Sequence, residues 1–131
     1  MMTRESVHVS SYVHSTPIPA ACRIGPMLWT SPISPYNRGS RTIPADLDAQ
    51  FENLFTNIGD VLEAAGATWD QIGKMEFYVA DVDDLAFKTR LGKYWLKYFP
   101  DESSRPARHT IHIAKLMPNR AVTVTFMAYM G

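Results

Sequence analysis

The sequence predicts an α+β fold in which a mixed sheet carries two helices on one face. Three observations predict it. Short alternating runs and a tight hairpin turn fill the first third, two stretches with helical apolar spacing follow, and two alternating runs close the chain. In order, the elements read β-β-β-α-β-α-β-β, within the length of a single domain over residues 1–131.

The first strand rests on Val7, Val9 and Val13, which alternate with His8, Ser10, Tyr12 and His14 until Pro17-Ile18-Pro19 interrupts the pattern. Two apolar runs, 20–24 and 27–29, flank Gly25-Pro26 and read as a hairpin. A loop from Pro32 to Pro44, rich in Pro, Ser, Gly and Arg, is long for a small domain, and loops of that length are often functional. The first helix is capped by Asp46 and carries an apolar stripe through Leu47, Phe51, Leu54, Phe55, Ile58, Val61, Leu62 and Ala65, with Gly66 as its stop. Gln50, Asn53, Asn57 and Asp60 are expected to face water.

A strand from Gly73 to Ala80 follows, carrying Met75, Phe77 and Val79. Asp81, Asp83 and Asp84 supply turn and capping carboxylates, and their spacing does not match a calcium loop. The second helix carries Leu85, Leu91, Tyr94, Trp95 and Tyr98 and ends before Pro100; its aromatics read as packing rather than a stacking platform for bases. Two strands, 108–114 and 121–129, meet at a turn through Pro118-Asn119. Within the first of them, Ile111 and Ile113 share a face, expected to be the helix face, which sends Arg108, Thr110 and His112 the other way. Val122, Val124 and Phe126 likewise share a face, opposite Thr123, Thr125 and Met127. Two helices can cover one side of such a sheet, so oligomerisation through the other side is expected.

Composition narrows the function. Apolar residues make up 46 % of the chain and charged residues 20 %, and thirteen basic residues balance thirteen acidic ones. That balance disfavours nucleic acid as a partner, since gripping phosphates needs a cationic excess. One cysteine, Cys22, forms no internal disulfide and reads as a small buried hydrophobe. No signal-type run or stretch near ~18 apolar residues is present, which reads as a cytoplasmic protein without a membrane partner. Four histidines, at 8, 14, 109 and 112, could serve as bases or ligands. His109 and His112 fall on opposite faces of their strand, which argues against a shared metal, and of the two His112 is the better candidate by parity.

Three blocks carry a resemblance to a known family. They are Gly25-Pro26-Met27-Leu28-Trp29-Thr30-Ser31; Ile43-Pro44-Ala45-Asp46 with Gln50, Asn53 and Leu62-Glu63-Ala64-Ala65-Gly66-Ala67; and Pro106-Ala107-Arg108 with the strand ending Ala114-Lys115-Leu116. Together they resemble the RidA family, also called YjgF and labelled endoribonuclease L-PSP, across nearly the whole chain from Pro17 onward. The resemblance implies a homotrimer of chorismate-mutase-like fold that binds a small carboxylate ligand between subunits. It further implies hydrolysis of enamines or imines to a keto compound and ammonia, with no metal and no organic cofactor. Arg108 matches the family's carboxylate-gripping arginine; Arg105, three residues earlier, is the weaker rival.

Several positions depart from the family pattern. The carboxylate that orients the attacking water falls on Thr125, and no Asp or Glu follows Glu102. The aromatic after the N-terminal proline falls on Ile18, an asparagine of the second helix on Thr89, and the glycine after Ser31 on Pro32, which has no N–H. The resemblance therefore assigns catalysis to Arg108 and Thr125, and substrate binding to Arg108, Ser31, Thr110, Ile18 and Thr89, with weak deamination of the smallest enamines. A non-catalytic ligand-binding or sensing module is the alternative, and a nuclease or translation inhibitor the remote one. Tyr36, Arg38 and Arg41 in the long loop point to a ligand larger than the smallest enamines.

Overall fold

Where the first strand stops is decided by a proline on its neighbour. β1 (Arg4–Val7) pairs antiparallel with β2 (Ala21–Ile24), Val7 opposite Ala21, so continuing the register would set Val9 opposite Pro19, which cannot donate to a ladder. The strand expected over 7–13 thus runs earlier and ends at Val7, while Val9 is still buried in the core. The computed structural model describes residues 3–11, 14–80 and 82–131; Met1, Met2, the expected strand residues Tyr12 and Val13, and the expected turn carboxylate Asp81 lie outside them.

β2 turns into β3 (Met27–Thr30) through Gly25-Pro26, with Gly25 at φ 56, a conformation glycine adopts without steric cost. α1 (Leu47–Ala65) begins at Asp46, whose carboxylate accepts from the Ala49 N–H at 3.1 Å, and ends at Gly66 with φ 75. A 3₁₀ turn at Trp69–Gln71 leads into β4 (Ile72–Val79). α2 (Asp84–Tyr98) is capped by Asp83, and β5 (Ala107–His112) and β6 (Val122–Tyr129) complete the chain. The expected order of elements is observed.

The six strands form one sheet in the order β1-β2-β3-β6-β4-β5. Only β4 and β5 run parallel, as a strand–helix–strand crossover requires, so the sheet is mixed. α1 and α2 cover the face bearing Leu28, Met75, Phe77, Val79, Val122, Val124 and Phe126, all buried. Phe55 of α1, fully buried, sits at the centre of the aromatic packing, 5.3 Å from the Tyr94 ring, 5.4 Å from Tyr98 and 6.2 Å from Phe77. Leu85, expected to pack inward, is 73 % exposed; Phe87, Leu91 and Tyr94 form the buried side of α2 instead. No helix among the described residues is long and apolar enough to cross a membrane.

Two α1 residues expected to face water are buried. The Asn57 amide donates to the carbonyls of Ser34 (3.0 Å) and Tyr36 (3.1 Å). Gln50 donates to Pro44 and Asn119 and accepts from the Ala121 N–H. Asn53, between them, donates to Pro35 and Asn37. An irregular loop leaves carbonyls that need donors once buried, and these amides satisfy them from one helix face. Asp60 is held too, accepting from the Ser11 hydroxyl at 3.0 Å and pairing with Arg38 at 3.1 Å.

Asn57→Ala is expected to cost about 1–3 kcal/mol, the range for stranding a buried polar partner. The urea midpoint reads this out, and an unchanged midpoint would remove Asn57 as the loop's anchor.

Candidate functional site

The sheet register decides which side chains share a face. Arg108, Thr110 and His112 lie opposite Met75, Phe77 and Val79, whose side chains are buried under the helices. Arg108 therefore stands on the helix face, contrary to the expectation from parity, and Ile111 on the open one. The reason is the position of β5 at the sheet's edge. There the helix layer thins to the flank of α2, and a long amphipathic side chain suits that boundary better than an isoleucine. The Arg108 guanidinium lies over the Trp95 ring, 4.7 Å from its centroid. Desolvation there lowers its pKa from the ordinary value, yet an arginine stays charged at neutral pH.

Between α2 and β5 lies a cavity of about 300 Å³, lined by Phe87, Leu91 and Gly92 on its apolar side and by Asp84, Lys88, Arg108, Thr110 and His112 on its polar side. Lys88 pairs with Asp84 at 2.9 Å, and His112 Nε2 stands 3.8 Å from the same carboxylate. One carboxylate against two permanent cations leaves a net positive lining, suited to an anionic ligand. Arg105, the weaker rival, is tied elsewhere, donating to the carbonyls of Phe99 and Pro100. Thr89 is exposed on α2 and does not line this cavity.

Of the remaining candidates, Thr125 lies on the other face of the sheet, and Ser31 and Ile18 lie in the segments that flank β2 and β3. Trp29 pairs with Met127, whereas Ile33 bridges to Val124, so the segment Thr30–Pro32 holds one residue more than β6 does opposite it. This bulge tolerates Pro32, which has no N–H for a ladder. Ser31 sits within it, its own N–H donating to the Ala20 carbonyl at 3.0 Å. On the neighbouring stretch of β6, Thr125 occupies the open face. Ile18 is 43 % exposed in the turn before β2. In one chain, then, Arg108 and Thr110 stand on one face of the sheet and Thr125 on the other.

A carboxylate that no motif marks stands beside Thr125. Glu76 of β4 lies directly opposite Thr125 across β6 and opposite His109 across β5. Facing pairs of this kind place their Cβ atoms roughly 4.5–5.5 Å apart. Among the residues paired in the sheet, Glu76 is the one carboxylate on the open face. Its alternation with Met75 and Phe77 was visible as a polar position in a strand, but the neighbour it would meet was not. Trp95, which seats Arg108, has the spacing of a packing residue, and no local pattern marks that contact.

The rest of the open face near β3 is apolar. Ile24, Trp29, Met127 and Tyr129 are between 36 % and 57 % exposed, and Cys22, expected to be buried, is half-buried opposite Trp29. No cluster of three or more metal-ligating side chains occurs among the described residues.

The family model for endoribonuclease L-PSP matches residues 10–130. The chain is 33 % identical over 86 residues to Reactive Intermediate Deaminase A, chloroplastic, of Arabidopsis thaliana, a match covering 66 % of this chain and 43 % of that protein. It therefore spans less than half the length of that relative. Identity to the 2-iminobutanoate/2-iminopropanoate deaminase of Escherichia coli is 29 % over 105 residues, 80 % of each chain. The crystal structure of E. coli TdcF with bound serine superposes with a TM-score of 0.83 at 21 % identity, covering 97 % of this chain and 99 % of that one, which establishes the shared fold.

Proposed function

Since the chain belongs to the endoribonuclease L-PSP family, the RidA/YjgF group, we propose that it binds a small 2-imino acid between copies of itself and hydrolyses it to the 2-keto acid and ammonia. The observation that carries this reading is Arg108, held over Trp95 at the mouth of a net cationic cavity on an edge strand. A guanidinium fork matches a carboxylate in two parallel hydrogen bonds, which fixes both the position and the plane of the ligand. A serine-bound relative and relatives named as imine deaminases support a ligand of this class.

The chemistry asks little more. Water adds to the imine carbon while a base takes its proton, the protonated base returns that proton to the nitrogen, and the aminoalcohol transfers its hydroxyl proton to the departing nitrogen, leaving the ketone and ammonia. Glu76 stands in for the acid missing at Thr125, with the threonine hydroxyl orienting the same water. Because Arg108 and Glu76 occupy opposite faces of one sheet, a ligand touching both lies between two copies, Arg108 from one and the Ser31–Thr125–Glu76 side from the other. The apolar open face around Trp29, Met127 and Tyr129 supports association there.

We expect a homotrimer, with sedimentation equilibrium giving three times the chain mass at micromolar concentration. A stable monomer would sink the shared site. For activity, an amino-acid oxidase generates the imine in situ, and keto-acid formation is compared with the spontaneous rate. Acceleration supports the reading. Binding without acceleration would favour a second one, a ligand-binding module without turnover, which Pro32 and Thr125 favour by withdrawing an amide donor and an acid from the family pattern.

A further inference from the structure

Beside the Ser31–Pro32 bulge, on the open face of the sheet, lies a second cavity of about 250 Å³. Its lining is mostly carbon, from the Pro32 ring, the Tyr78 ring, Leu116 and Met117, with the polar side chains of Ser34, Thr123 and Arg120 completing it. The Arg120 guanidinium stacks 5.0 Å from the Tyr36 ring centroid and donates to the Tyr36 hydroxyl, so it lies against that ring and brings one positive charge to one side of the cavity. Thr123 is 6 % exposed and precedes Thr125 by two residues on the same face, and Pro32 follows Ser31 directly. The cavity thus adjoins the residues that would meet the ligand from the second copy.

We infer that this cavity receives the side chain of the 2-imino acid, and that the preferred substrates carry a bulky apolar group, aryl or branched alkyl, rather than a methyl. The inference rests on the reading of Arg108 as the carboxylate anchor. An apolar cavity of roughly 150 Å³ already admits benzene, so this one has room for a phenyl ring. A methyl group would leave most of the carbon wall in contact with water, whereas a polar side chain would lose hydration against walls that return few hydrogen bonds.

The full-length protein is titrated calorimetrically with pyruvate and with phenylpyruvate, which share the keto-carboxylate and differ in the side chain. Phenylpyruvate is expected to bind at least about tenfold more tightly, since a single added methylene in such a pocket is worth roughly that much. Met117, 61 % exposed, can be changed without disturbing the core, and Met117→Gln is expected to pull the ratio of the two affinities below about threefold. Thr123→Leu, which adds bulk to the lining, is expected to lower the same ratio. Comparable binding of both acids by the unaltered protein overturns the inference and leaves the Arg108 reading standing. A large ratio unmoved by either variant overturns the placement in this cavity, and binding of neither acid overturns both readings.

Discussion

Replacing Glu76 with glutamine is expected to lower kcat for imine hydrolysis by about 10²–10⁴-fold, the contribution typical of a positioned general base. Gln keeps the length and the hydrogen-bonding reach of the side chain but cannot take a proton from water. Affinity for a keto acid, which has no proton to give up, should change less than about threefold, because the carboxylate is held by Arg108 in the second copy. That split between kcat and binding separates a base from a residue that merely supports the sheet. Glu76→Asp should recover part of the rate. A glutamine variant with full kcat would assign water activation elsewhere, with His109, the cross-strand neighbour of Glu76, the next group to change.

Removing the guanidinium should act on binding instead. Arg108→Ala is expected to weaken keto-acid affinity by about 1.5–3 kcal/mol, the range for a hydrogen bond to a charged group, or roughly 10- to 150-fold. Arg108→Lys should recover only part of it, since an ammonium cannot form the planar two-point contact and stacks less well on an indole. Because Arg108 stays charged across the working range, the loss should not vary between about pH 6 and 9. Trp95 lies under the guanidinium, so its fluorescence should change in the alanine variant and report that the contact was removed. Unchanged calorimetric affinity in both variants would take Arg108 out of the site, and Lys88, on the same cavity wall, would become the candidate cation.

By itself, the sequence determined the order of the elements, though not where the first strand lies. Asp46 and Gly66 bracket α1 because a carboxylate can accept from a free N-terminal amide and a glycine can turn left-handed, both local properties. Gly25-Pro26 made the hairpin for the same kind of reason, and three blocks together, around residues 25–31, 43–67 and 106–116, carried the resemblance to the family that residues 10–130 match. The apolar faces of β4 and β6 were legible because central strands bury one side completely, which leaves a period of two through Met75, Phe77 and Val79 and through Val122, Val124 and Phe126.

Only the tertiary structure decided what meets what. β5 ends up at the edge, where burial is partial on both sides, so its alternation of isoleucines with Arg108, Thr110 and His112 carries no reliable sign of which face is covered. Glu76 becomes a neighbour of Thr125 through a pairing between strands more than forty residues apart, and no local pattern encodes that distance. Gln50 and Asn57 look like solvent-facing polar positions on a helix until a loop with unpaired carbonyls is laid over them. Periodicity records how much water a side chain avoids, whereas the partner that satisfies a buried polar group is chosen by the fold.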